Sequence, residues 1–131
     1  MYLSTEQRKE FAELLGKTLV DISIDGHVHE GELGDEIHFK TLDGLKYKLF
    51  HKQDCCESVY IESVDGDLGD LIGSPLLMAE EVSEVAEEVC ESGTWTFYKL
   101  ATVKGYVTIR WIGESNGYYS ESVDFVRVIE K

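Results

Sequence analysis

The chain has 131 residues, 43% of them apolar, enough for one domain over residues 1–131 with its own core. Acids outnumber bases 26 to 12, and the formal net charge of −14 repels phosphate backbones, which argues against general nucleic-acid binding. No apolar run approaches the roughly 18 residues of a membrane helix, and three cysteines, two of them adjacent, make no disulfide framework.

The start, MYLSTEQRKEFAELL, is amphipathic and lacks a signal-peptide core, so the expectation is a cytoplasmic protein with reduced thiols. Residues 4–15 predict a helix. Ser4 and Gln7 have capping-box spacing, Phe11, Leu14 and Leu15 form an apolar stripe, and Gly16 is a natural stop. TLVDISID then alternates as a strand. HVHEGELGD reads as a loop, and EIHFKTLDGLKYKLF as a hairpin turning at LDG, with Ile37, Phe39, Tyr47 and Leu49 on its apolar sides.

ESVYIESV is a further strand, with Val59 and Ile61 on one side. Leu68, Leu71 and Ile72 predict one helical turn before Gly73 and Pro75, the chain's one proline. PLLMAEEVSEV resumes as a strand. Residues 82–93 lack a clean period and read as an acidic insertion, either loop or frayed helix. TWTFYKLATV, YVTIRWIGES and YYSESVDFVRVIE predict an antiparallel meander turning at KG and SNG. The expected class is α+β: a mostly antiparallel sheet, barrel-like or sandwich, with an N-terminal helix and one short internal helix.

The least bland stretch is HKQDCCESVYIE, residues 51–62. A zinc site usually spaces its cysteines C-x2-C, whereas adjacent residues of an extended chain point to opposite faces. Cys55 and Cys56 therefore converge poorly, even with His51, Asp54 and Glu57 nearby and His27, His29 and Cys90 as further donors. Nucleophilic catalysis needs a thiolate stabilised by a base or a positive charge, and this neighbourhood is acidic. The structural alternative packs one thiol in the core and lets Asp54 and Glu57 accept backbone hydrogen bonds at a sharp corner. The expectation is a structural corner, with His51, Asp54, Cys55, Cys56 and Glu57 as a secondary candidate site.

The second candidate lies in the C-terminal third. Tyr106, Thr108, Arg110 and Ile112 share one face of a strand. Arg110 needs a partner there, either a carboxylate of this acidic chain or an anionic or planar ligand clamped by the guanidinium. Asn116, Tyr118 and Tyr119 add amide and phenol groups in a glycine-bracketed loop suited to a polar small molecule. Arg110, Thr108, Tyr106, Asn116, Tyr118 and Tyr119 are the candidate ligand-binding residues. The chain has no phosphate-cradling glycine loop, dinucleotide fingerprint, H-E-x-x-H or G-x-S-x-G, and DGDLGD lacks the ligand order of a calcium loop. No cofactor, metal site or catalytic residue is expected.

Two blocks, DGLKYKLFHKQDCCESVYIESVDGDLGDLIGSPLLMAEE and TWTFYKLATVKGYVTIRWIGESNGYYSESVDF, carry a resemblance. Over residues 40–82 and 94–126 the chain resembles an uncharacterised small domain family of phages, prophages and bacteria, with H-x-x-D-C-C-E as its distinctive run. The N-terminal forty residues and residues 82–93 lie outside it. The chain is also similar to the phage Thoeris anti-defence sponges, small β-rich oligomeric proteins that sequester cyclic ADP-ribose or cyclic oligonucleotide signals without cleaving them. No ligand-contact motif of that family aligns onto this chain, so no binding residue is carried over. The resemblance implies a non-catalytic binding protein for a nucleotide-like signal, and a homo-oligomer. An acidic module that inhibits a host protein is the alternative, and a metal- or thiol-dependent enzyme centred on the H-x-x-D-C-C-E block is the third reading.

Overall fold

The computed structural model describes residues 4–25, 35–87 and 91–130. Nine strands make up most of these residues, in chain order β1 (Ser4–Arg8), β2 (Leu19–Asp25), β3 (Glu36–Thr41), β4 (Lys46–Phe50), β5 (Ser58–Asp65), β6 (Met78–Val85), β7 (Ser92–Thr102), β8 (Gly105–Ser115) and β9 (Asp124–Glu130). They form two antiparallel sheets, ordered β1-β9-β4-β3-β2 and β5-β8-β7-β6. Phe39, Tyr47, Leu49 and Phe125 of the first sheet and Tyr98, Leu100, Ile109 and Trp111 of the second share one buried core, the arrangement of a β-sandwich. The class is therefore all-β and not α+β.

The correction begins at the N-terminus. Residues 4–8 pair with β9, from Ser4 opposite Glu130 to Arg8 opposite Val126, where a helix is expected. An unpaired edge of β9 offers this polar segment a ladder of backbone hydrogen bonds, which outweighs its weak helical signal. The Arg8 guanidinium donates to the Asp124 carboxylate at 2.5 Å and pins the pairing. The apolar stripe survives as a single 3-10 turn, Phe11–Leu14. Phe11 packs against Tyr98 at 4.7 Å and Phe125 at 5.2 Å between ring centroids, bridging the two sheets. The Tyr47 hydroxyl donates to Glu13 Oε2 at 2.6 Å and ties this turn to β4.

The hairpin β3–β4 stands as read, with Ile37 opposite Leu49, Phe39 opposite Tyr47, and all four buried. In β2 a register shift between Leu19 and Asp21 turns Leu19 and Ile22 both inward, which strict alternation forbids. The internal helical turn is a 3-10 turn, Leu68–Leu71, capped by the Asp67 side chain accepting from the Gly69 amide at 2.9 Å. Of the segment 82–93, residues 82–85 belong to β6, with Val85 opposite Thr94, and β7 begins at Ser92, whereas residues 88–90 lie outside the described residues.

The C-terminal meander is half right. Strands β7 and β8 form the expected hairpin, from Thr102 opposite Gly105 to Ser92 opposite Ser115. After SNG, however, the chain leaves that sheet, and β9 joins the other one between β1 and β4. The expected loop at residues 27–35 lies outside the described residues except for Asp35, whose carboxylate accepts from the Ile61 amide at 2.6 Å.

Candidate functional site

The corner between β4 and β5 is built on a buried acid. Glu57 Oε2 lies 2.6 Å from His51 Nε2, with side chains 0% and 3% exposed. Glu57 also accepts from the backbone amides of Asp54 at 2.8 Å and Cys55 at 2.9 Å. His51 Nδ1 donates to the Ser122 carbonyl at 2.7 Å, which ties the corner to the segment entering β9. Burial pushes the Glu57 carboxyl up, but the Cys55 amide, the His51 ring and the Asp54 amide together hold it at about 2. Gln53 closes the turn by donating to the Glu57 carbonyl at 2.7 Å.

The chain turns at this corner with Glu57 accepting backbone bonds, and the cysteines depart from the expectation. Glu57 and His51 are the buried pair, whereas Asp54, Cys55 and Cys56 are exposed. Cys56 is not the core thiol expected of it. Cys55 and Cys56 are joined by a disulfide between neighbouring residues, in place of separate reduced thiols on opposite faces. Both nitrogens of His51 are engaged by Ser122 and Glu57, so the ring is not turned towards either sulfur as a base. Among the described residues no group of three or more His, Cys, Asp and Glu side chains converges as metal ligands, and His27, His29 and Cys90 lie outside those residues.

The six candidate ligand-binding residues divide between two places. Tyr106, Thr108 and Arg110 point outward from β8 on the four-stranded sheet, opposite Ala101, Lys99 and Phe97 of β7. Asn116, Tyr118 and Tyr119 lie past the far end of β8, about 30 Å from Tyr106 at strand rise. One small ligand cannot touch both ends.

Arg110 has found a carboxylate. Its Nε and one terminal nitrogen donate to Glu62 Oε1 at 2.9 and 2.5 Å, and its guanidinium carbon sits 4.7 Å from the centroid of the Trp95 ring. A register irregularity between Ile61 and Ser63 leaves Glu62 as the inserted residue beside Arg110. The Arg110 and Ser63 contacts hold the Glu62 carboxyl below the usual range. The guanidinium is thus held over an indole, with Phe97 directly across the ladder and about two-fifths of the Arg110 side chain exposed.

At the far end, a cleft of about 350 Å³ brings Cys56 and Ser58 of the corner together with Ser92, Ser115, Asn116 and Tyr119. Asn116 Oδ1 accepts from the Tyr118 amide at 2.9 Å, and Tyr118, 82% exposed, meets Tyr119 edge-on at 5.0 Å. The loop folds back over Gly113, where an added Cβ would stand 2.5 Å from the Glu121 carbonyl. Glu121 holds it there, accepting from Thr94 at 2.8 Å and from the Ser115 hydroxyl. Sequence reading missed Glu121. Its partners Thr94 and Ser115 come from β7 and β8, and the local sign is the run of hydroxyl residues around it.

This chain belongs to the DUF7448 family, a domain of unknown function, whose model matches residues 12–125. The match takes in most of the N-terminal segment and residues 82–93, both of which the sequence resemblance leaves outside. No curated protein and no solved structure matches the chain. Among the described residues no helix is long and apolar enough to cross a membrane.

Proposed function

We propose that the chain is a non-catalytic binding protein that captures a small nucleotide-derived signal on the outward face of its four-stranded sheet. The observation that carries this reading is Arg110 held over the Trp95 ring by two bonds to Glu62. A guanidinium fixed by a carboxylate and seated over an indole is pre-organised, so it loses little entropy when a flat, anionic ligand settles on it. Phe97 and Tyr106 widen the surface, and Lys99, opposite Thr108, supplies a second cation for a phosphate. The cleft at the other end of β8 fits this ligand less well, because Glu91 and Glu114 line it and repel anions.

The test is capture and release. Purified protein is incubated with cyclic ADP-ribose and a panel of cyclic oligonucleotides, freed of unbound ligand and heat-denatured. Recovery of one signal unchanged supports capture without cleavage. A cleaved product would make the protein an enzyme.

The charge of −14 favours a second reading, an acidic module that inhibits a host protein through a basic surface. A stoichiometric, salt-sensitive complex with a basic host protein, together with no capture of any signal, would select it.

A further inference from the structure

Cys55 and Cys56 are bonded to each other, and both residues are exposed. Exposed disulfides are open to thiols in solution and belong to the labile or regulatory class. The surroundings are acidic, with exposed Asp54 beside Cys55, which disfavours a thiolate here. The pair is therefore suited to attack by an outside thiol and not to attacking a substrate itself. The backbone around it is held by bonds that involve no sulfur. Glu57 accepts from the Asp54 and Cys55 amides, and Gln53 Nε2 donates to the Cys55 carbonyl at 3.2 Å and to the Glu57 carbonyl at 2.7 Å. A bond between neighbouring residues also closes no long loop, so it adds little to the stability of the fold. Opening it is thus a local event. Its consequence falls on the cleft at the Asn116 end of β8, whose lining Cys56 shares with Ser58, Ser115, Asn116 and Tyr119.

We infer that Cys55 and Cys56 form a reversible redox site, which a dithiol opens and a disulfide closes, and that its state sets the shape of this cleft. In the opening step a thiolate of the dithiol attacks one sulfur, the Cys55–Cys56 bond breaks, and the released sulfur takes up a proton. The dithiol's second thiol then displaces the other protein sulfur, leaving two protein thiols and an oxidised, cyclic dithiol. Once separate, the two side chains turn apart, as those of neighbouring residues usually do, and Cys56 leaves the place that the bond gives it. The site makes no use of Arg110, and its test is independent of signal capture.

The full chain is first oxidised with excess oxidised glutathione, and half of it is then treated with dithiothreitol. Both samples are freed of reagent, alkylated without denaturation and mapped by peptide mass spectrometry. Cys55 and Cys56 should be joined and unlabelled in the first sample, and both labelled in the second. Glutathione retained on either cysteine, alkylation of either before reduction, or failure of dithiothreitol to expose both would overturn the redox site. Two-dimensional NMR of the two states should show amide shifts at residues 54–58 and 115–119, with Trp95 and Arg110 in place and a melting temperature within a few degrees. In a Cys55→Ser/Cys56→Ser double variant the same treatments should leave residues 115–119 unmoved, which separates the pair from Cys90. Unmoved amides at 115–119 in the parent protein, a response there that persists in the double variant, or loss of the folded spectrum on reduction would overturn the coupling to the cleft.

Discussion

The H-x-x-D-C-C-E run draws the eye to its sulfurs, but the residue that organises it is Glu57. Both oxygens of that carboxylate are used, by His51 and by the Asp54 and Cys55 amides, in a fully buried position. Taking away a buried acceptor leaves its donors unsatisfied, at a cost of about 1–3 kcal/mol for each. Glu57→Gln should therefore melt well below the parent protein, whereas Cys56→Ser, which opens a bond to the neighbouring residue at an exposed position and releases no long loop, should melt within a few degrees of it. Paired thermal melts check this, and equal losses in both variants would return the corner to the cysteines. The acid limb gives a second test. Because the folded Glu57 carboxyl is held at about 2, below its ordinary 4.5, its contribution is complete above about pH 4.5 and fades as pH falls towards 2. Glu57→Gln should flatten the loss of stability across that window, read from denaturant midpoints at stepped pH. The importance of Glu57 was partly legible in the sequence, since an acid beside a bend suggests backbone hydrogen bonds. The pairing with His51 was not, because spacing along an irregular corner says nothing about where side chains meet.

At the scale of elements, the readings that held were those set by contacts close in sequence. The β3–β4 hairpin and the β7–β8 hairpin each join neighbouring alternating runs through a short turn, and both are present. The readings that failed were decided by distant partners. Residues 4–8 carry a helix signal yet pair with residues 126–130 at the other end of the chain. Asn116-Gly117 looks like a hairpin turn yet sends the chain across the sandwich to β9. Gly117 takes a φ of 93° there, so the glycine was needed, but for a crossing and not for a hairpin. That crossing depends on Gly113, over which the Glu121 backbone lies. Gly113→Ala should push the 116–122 segment off β8 and destabilise the fold by about 1–3 kcal/mol, as overpacking does. Amide shifts in a two-dimensional NMR spectrum should move at residues 113–123 and leave Arg110 and Trp95 in place. Shifts confined to residue 113 itself would contradict the packing described.

For the whole molecule, the four-stranded sheet presents an outer face with aromatic residues around Arg110, on a chain of net charge −14. The candidate ligand site was legible as Arg110 with Tyr106 and Thr108, because strand alternation alone puts them on one face. Glu62 and Trp95, which fix that guanidinium, were not, since one depends on a bulge in β5 and the other on register with β7. The central claim, capture of a nucleotide-derived signal on that face, is tested most directly by recovering the signal from parent and Arg110→Ala proteins side by side. The parent protein should release the signal intact on denaturation. Arg110→Ala, with an unchanged melting temperature, should retain about ten- to a hundredfold less at limiting concentration. Equal recovery from both proteins, or a cleaved product from the parent, would contradict the account.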